Sequence, residues 1–282
     1  MGRPPPPGLL SSAPPPAELV AVGIEAAHAA GALLRERFAA GPTALRAKSS
    51  PTDLVSEADL AAERLIRDRL SAARPGDAIL GEEGGARPPT ATESGLRWVV
   101  DPLDGTVNFL FGIPQWSVSI ACEDASGGVV GVVFDPCRDE LFAAERGRGA
   151  TLNGRPVKAS QGDDLSRALI GTGFSYEPEM RGRQARVLAE LLPQVRDIRR
   201  GGSAAIDLAW VACGRLDGYY ELGTRHWDRA AGMLLVSEAG GVVTPLDRRD
   251  EGGEGALAAG RALHPGLALL VETAFRPSDQ LH

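Results

Sequence analysis

The residues best suited to chemistry are carboxylates that follow short apolar runs. Ala78-Ile79-Leu80 leads into Gly81-Glu82-Glu83-Gly84, and Leu96 to Val100 leads into Asp101-Pro102-Leu103-Asp104-Gly105-Thr106. Trp227-Asp228 comes much later. An apolar strand that ends in acids presents them at one edge of the core, where ligands commonly bind in sheets. Asp101, Asp104 and a glutamate of the Glu82-Glu83 pair repel one another at close quarters unless protons or a cation neutralise them. All are hard oxygen donors, with no His pair or Cys pair beside them, and such a set favours Mg²⁺ or Mn²⁺ over Zn²⁺. Turn preference explains any single Asp-Gly, but it does not supply the neighbouring acids. Asp104-Gly105-Thr106 adds an anion site: Asp caps a following helix, Gly admits close approach, and exposed N–H groups beside the Thr106 hydroxyl suit phosphate. An anion site beside a cation site points to phosphoryl chemistry.

Rival phosphate chemistries fit poorly. The chain has no G-x-x-x-x-G-K-[ST] loop and no G-x-S-x-G elbow. The step from Asp101 to Asp104 is three residues, whereas aspartyl-nucleophile phosphatases resemble D-x-D. No cysteine opens a C-x5-R loop, because Gly128, Ala143 and Tyr219 stand where the arginine would fall. Water is then the expected nucleophile.

The acids need elements to hold them. Leu19, Val20, Ile24, Ala27, Leu33, Leu34 and Phe38 recur at helical spacing and predict a helix over Ala17 to Phe38; a second is expected over Ser56 to Ala73, stopped by Pro75-Gly76. Short strands are expected at Ala78 to Leu80, Leu96 to Val100, Trp116 to Cys122, Val129 to Phe134 and Glu140 to Ala144, as an antiparallel meander. The second half alternates strands at Ala168 to Gly171, Arg196 to Ile198, Gly218 to Leu222 and Ala256 to Ala259 with helices. Those helices fall at Met180 to Leu192, Ser203 to Ala212 with Ser203 as N-cap, Trp227 to Ala239 and Pro265 to Phe275. This is α+β or layered α/β, with two sheets in one unit.

Whole-chain properties narrow the class. The chain has 282 residues, 30 Lys+Arg against 37 Asp+Glu, and a net charge of −7. An acidic balance argues against direct nucleic-acid binding and against docking on an anionic membrane. No run of ~18 apolar residues predicts a membrane span. Cys122, Cys137 and Cys213 are few and scattered, which fits a reducing cytoplasm better than a disulfide framework. Residues 1–16 hold Pro4 to Pro7 and Pro14 to Pro16 and read as a disordered tail without signal-peptide layout, ahead of a single catalytic domain over 17–282. Only Lys48 and Lys158 are lysines.

These residues resemble the inositol monophosphatase family of magnesium-dependent, lithium-sensitive phosphatases. Gly81-Glu82-Glu83 and Trp98-Val99-Val100-Asp101-Pro102-Leu103-Asp104-Gly105-Thr106-Val107-Asn108-Phe109 look like its first signature. Trp227-Asp228-Arg229-Ala230-Ala231-Gly232, continuing to Glu238-Ala239-Gly240-Gly241, looks like its second, and Asp53-Leu54-Val55 with Ala58-Asp59 is similar to its upstream motif. The resemblance implies an α-β-α-β-α layered sandwich and a homodimer. It implies Glu82, Asp101, the Leu103 carbonyl, Asp104 and Asp228 as ligands for two or three Mg²⁺ (or Mn²⁺). Asp59 and Thr106, with Glu82, would serve catalysis by metal-activated water. The Gly105 and Thr106 N–H groups would hold phosphate, while Asp104, Ser203, Ala204, Glu221 and Asp228 would contact the substrate. Lys48 matches a basic residue near the metal loop.

For substrate, Asp104-Gly105-Thr106-Val107-Asn108-Phe109 looks like the inositol phosphatases, and Glu221 after Tyr219-Tyr220 suits polyol hydroxyls. Fructose 1,6-bisphosphate and histidinol phosphate stay open as alternatives, as does a non-catalytic interaction role, since some bacterial relatives bind transcription or ribosome-maturation machinery. His226 reads as structural, and Trp98, Trp210 and Trp227 read as core. Arg199-Arg200-Gly201-Gly202 is either an anion-facing loop or a plain turn, and Gly171-Thr172-Gly173 is a weak glycine pattern.

Overall fold

The first helix opens on a proline. Pro16 starts α1 (Pro16–Ala40), because the first helical position needs no N–H and favours a fixed φ; the proline-rich segment therefore contributes its last residue to the helix instead of ending the tail. The computed structural model describes residues 15–41, 45–47, 54–87, 94–248 and 253–275. The expected tail over 1–14, Lys48 and Asp53 lie outside the described residues.

Beyond α1, β1 (Leu45–Ala47) and β2 (Leu54–Ser56) form a two-stranded antiparallel ribbon, followed by α2 (Glu57–Ala73). Then come β3 (Ala78–Gly81), β4 (Gly85–Arg87), β5 (Arg97–Asp104), α3 (Thr106–Leu110), β6 (Ser117–Asp124), β7 (Gly127–Asp135), β8 (Glu140–Glu145), β9 (Gly149–Leu152) and β10 (Arg155–Val157). The second half runs β11 (Leu169–Thr172), α4 (Pro178–Leu191), β12 (Asp197–Arg199), α5 (Ala204–Ala212), β13 (Gly218–Leu222), α6 (His226–Glu238), β14 (Val242–Arg248), β15 (Gly253–Ala259) and α7 (His264–Phe275).

Strands β10-β9-β8-β7-β6-β5-β3-β4 make an eight-stranded sheet, and β12-β11-β13-β15-β14 a five-stranded one. The large sheet contains the five expected strands and adds β4, β9 and β10; its pairings are antiparallel except that β3 runs parallel to β5. Strand β14 was not expected from the sequence. It carries Pro245, which an edge strand tolerates because it needs only one row of ladder bonds.

Three apolar clusters glue the layers. Trp98, Val100, Val130 and Val132 pack with α1 and α2 on one face of the large sheet. Val99, Ala121 and Val133 face α5 and α6, which reach Tyr219 and Ala258 of the second sheet. Helices α4 and α7 cover that sheet's other face through Leu191, Leu267 and Ile170. The order is helix, sheet, helix, sheet, helix. Strands β5 to β7 are buried on both sides, so they read as apolar runs with little alternation. Helix α1 is long and apolar enough to cross a membrane by length and composition, but Leu19, Ala26, Ala27, Ala30 and Leu34 are fully buried in the first cluster.

Candidate active site

Strand register brings the acids together. Parallel pairing of β3 with β5 sets Gly81 opposite Val100, so Glu82 and Asp101 follow side by side. Asp101 shares a strand face with Val99, which points at the α5–α6 layer. Asp104 lies three residues on, and in a regular strand it would face the other way. Its pairing shows a shift: Asp101 sits opposite Ser119, and Asp104 opposite Ser117. One extra residue is accommodated as a bulge around Pro102, which has no N–H to give the ladder, and both aspartates then face the same layer. The Asp101 carboxylate accepts the Leu103 N–H at 3.0 Å.

Asp104 does not cap α3, as the sequence suggested. Gly105 holds that position at φ 99°, a left-handed conformation that favours glycine, and a Cβ there would also lie 3.0 Å from the Gln115 carbonyl. The Asp104 carboxylate instead meets the start of α5, accepting from Ser203 Oγ at 2.5 Å and the Ala205 N–H at 2.7 Å. Ser203 caps that helix as expected, accepting the Ile206 N–H at 3.3 Å. Asp228 stands in the first turn of α6 and accepts the Arg225 N–H at 2.7 Å. Ser119 Oγ, across the ladder from Asp101, reaches the Trp227 carbonyl at 3.4 Å and ties β6 to that helix start.

These groups line one cavity of 460 Å³, together with Gly105, Thr106, the Leu103 residue, Ala204 and Glu221. Two expected site residues do not line it. Asp59 is fully buried behind Thr106, which donates from Oγ to Asp59 Oδ1 at 2.9 Å and has the Leu103 carbonyl at 3.1 Å. Ser203 is buried behind Asp104 and Ala204. Glu221, on β13, accepts from the Tyr219 hydroxyl at 2.9 Å. A Cβ on Gly173 would lie 2.1 Å from the Glu221 carboxyl, so the weak glycine pattern marks where the chain just past β11 makes room for that side chain.

The electrostatics are those of crowded acids. Burial, then the charges of Glu82, Asp104 and Asp228, hold the Asp101 carboxyl well above the usual carboxylate range. Burial pushes Asp104 up to about 6 even though Ser203 and the α5 N–H groups pull it down. Asp228 is raised by burial and by Asp104 and Glu82. Burial lifts Glu221 to about 7 against the pull of Tyr219 and Arg200. Among the described residues no three acids are already drawn into a cation-ligating cluster. The donor set nonetheless fits a hard divalent ion. It offers only carboxylate and carbonyl oxygens on one cavity, and the like charges act on one another strongly enough to favour holding protons when no cation neutralises them.

Further residues line the wall or support it from behind. Arg200 and Gly202 line the cavity, so the Arg199–Gly202 loop faces the same space as the acids. Asn108 holds that loop, donating from Nδ2 to the Gly201 carbonyl at 2.9 Å and the Gln115 carbonyl at 2.7 Å. Asp207 on α5 is 1% exposed, and burial with the Glu221 and Asp104 charges raises it well above its usual range. Trp227 lines the cavity and is only partly buried, a correction to its reading as core, whereas Trp98 is fully buried and donates to Asp77 at 2.9 Å. Trp210 is likewise only partly buried, with the guanidinium groups of Arg138 and Arg215 lying 5.2 and 5.8 Å from its ring centroid. His226 lies off the cavity wall and pairs with Glu123 at 2.9 Å, in keeping with a structural part.

Comparison with known proteins agrees with this architecture. The model for the inositol monophosphatase family matches residues 16–275. The inositol-1-monophosphatase SuhB of Mycobacterium tuberculosis is 48% identical over 268 residues, covering 90% of this chain and 91% of that protein. A Nus factor SuhB of Xylella fastidiosa is 45% identical, covering 82% of this chain and 83% of that one. The crystal structure of the extragenic suppressor protein SuhB of Bartonella henselae superposes with a TM-score of 0.81 at 38% identity, over 92% of this chain and 99% of that chain.

Proposed function

This chain belongs to the inositol monophosphatase family, and from that premise we propose that it is a magnesium-dependent phosphomonoesterase that hydrolyses myo-inositol 1-phosphate and related inositol monophosphates. The observation that carries the reading is the single cavity on which clustered acids, the Gly105–Thr106 helix start and Glu221 meet. Glu82, Asp101, the Leu103 carbonyl, Asp104 and Asp228 would hold the cations. When bound, magnesium neutralises phosphoryl oxygens, lowers the pKa of water and stabilises the leaving alkoxide.

The chain's own groups do the remaining work. Thr106 Oγ donates a hydrogen bond to Asp59, which leaves its lone pairs free to accept a hydrogen bond from the attacking water; as the water loses a proton to Thr106 Oγ, the Thr106 hydroxyl proton passes to the Asp59 carboxylate. The Gly105 and Thr106 N–H groups receive the phosphate, and Ala204 with Glu221 bounds the polyol end of the cavity. An ionised Glu221 accepts substrate hydroxyls while the Tyr219 O–H fixes its rotamer. Arg200 offsets the Glu221 charge at the wall. We also read a homodimer and a cytoplasmic setting, the latter supported by three free cysteines.

A second reading, an interaction role on the same fold, draws on the 45% identity to a protein named a Nus factor. The complete acid set weighs towards catalysis. A phosphate-release panel at fixed Mg²⁺ separates the readings. It compares inositol 1-phosphate, fructose 1,6-bisphosphate, histidinol phosphate and 3′-phosphoadenosine 5′-phosphate, each with and without Li⁺. A kcat/KM for inositol 1-phosphate about tenfold above the rest, ~1.4 kcal/mol of transition-state preference, is expected. A flat profile removes the substrate assignment, and no release from any of them moves the weight to the interaction role.

A further inference from the structure

The turn that carries Glu82 is held by a buried acid. Residues 82–84 close the β3–β4 hairpin, with Gly81 paired to Gly85. Glu63 of α2, 2% exposed, accepts the Glu83 N–H at 2.6 Å through one carboxylate oxygen and the Gly84 N–H at 2.7 Å through the other. Arg67, one helical turn on, donates to Glu63 from Nε at 2.6 Å and to the Gly85 carbonyl from Nη2 at 2.5 Å. The fit leaves no room for a side chain: a Cβ on Gly81 or Gly84 would lie 2.6 or 2.7 Å from Glu63 Oε1. Glu63 also lies one turn after Asp59 on the same helix face, so α2 sets two acids at i and i+4. One meets Thr106 and the other meets the Glu82 turn.

We propose that Glu63 is a positioning residue for Glu82. Its carboxylate, locked by Arg67, fixes the backbone of the hairpin turn and so the place at which Glu82 faces the cavity. A single helix then couples the two halves of the site, the water-orienting pair through Asp59 and the cation-facing glutamate through Glu63. This rests on the reading of Glu82 as a cation ligand. A buried ion pair alone is weak evidence for stability, whereas two N–H groups of one functional turn directed at one carboxylate are evidence of orientation.

The test is equilibrium Mn²⁺ binding to the full-length, chelator-stripped protein, read by electron paramagnetic resonance. It compares wild type, Glu63→Gln and Gly84→Ala, with folding checked by circular dichroism. Glu63→Gln removes one acceptor and the charge opposite Arg67. Gly84→Ala keeps both charges and pushes the turn outward, and it decides the matter if Glu63→Gln does not fold. The expected result is a Kd for Mn²⁺ about 10–100-fold weaker in the folded variants. Phosphate release should recover to within about threefold of the wild-type kcat at saturating Mg²⁺, a split that general destabilisation does not produce. Folded variants that bind Mn²⁺ within about twofold of wild type overturn the proposal and leave the cation reading standing. A wild type that binds no Mn²⁺ removes the cation reading, and the proposal with it.

Discussion

Glu221, proposed to accept substrate hydroxyls, ties the stability of the fold to pH. Its carboxyl is raised from 4.5 to about 7 by burial, with Tyr219 and Arg200 pulling down and Asp104 pushing up. Between those values the folded protein holds a proton that the unfolded chain has lost, so stability falls as pH rises through that window. The Glu221→Gln variant lacks this proton. Urea unfolding in chelator should show wild type losing ~2 kcal/mol more than the variant between pH 5 and pH 8. An identical pH dependence in the two proteins would contradict the buried, neutralised state. The residue types were legible in the sequence because hard acids at strand ends have few structural uses in such number. What Glu63 and Asp207 do was not legible. Glu63 is one of four acids on α2, and Asp207 is the one acid in the apolar α5; only the tertiary placement of each helix separates a buried role from a solvated charge.

At the scale of elements, helix α5 supports the site through its first turn. Ser203 caps the helix and also donates to the buried Asp104 carboxylate. Ser203→Ala removes a cap, worth ~1 kcal/mol. It also removes a donor from a buried acid, worth a further ~1–3 kcal/mol. A loss of about 2 kcal/mol or more in urea unfolding is expected, with Ser203→Thr recovering most of it; a change below about 0.5 kcal/mol would show that the bond carries no weight. Ser203 was readable as a cap because its residue type and place ahead of an apolar run suffice. The β5 bulge was not readable. The step from Asp101 to Asp104 suggests opposite faces, and only the pairing with Ser119 and Ser117 shows the extra residue being absorbed. The parallel β3–β5 pairing was missed for a similar reason, since partner and direction are set by the sheet as a whole.

For the whole molecule, five layers share their apolar clusters, and the central helices α5 and α6 touch both sheets. We therefore propose one catalytic unit over residues 17–282. Calorimetry should give a single transition with matching calorimetric and van't Hoff enthalpies, and two resolved transitions would divide it. The chain's net charge of −7 and its acid-lined cavity oppose the approach of a phosphate, so under the proposed function admission of the substrate would depend on cations. That dependence is the central claim. The most direct test is phosphate release from inositol 1-phosphate by wild type and Asp101→Asn across a Mg²⁺ titration. The account predicts strictly Mg²⁺-dependent release by wild type and a ~10³-fold loss in Asp101→Asn at saturating Mg²⁺, the several kcal/mol that a metal contributes to such a transition state. Wild-type hydrolysis retained by Asp101→Asn at saturating Mg²⁺ would contradict it.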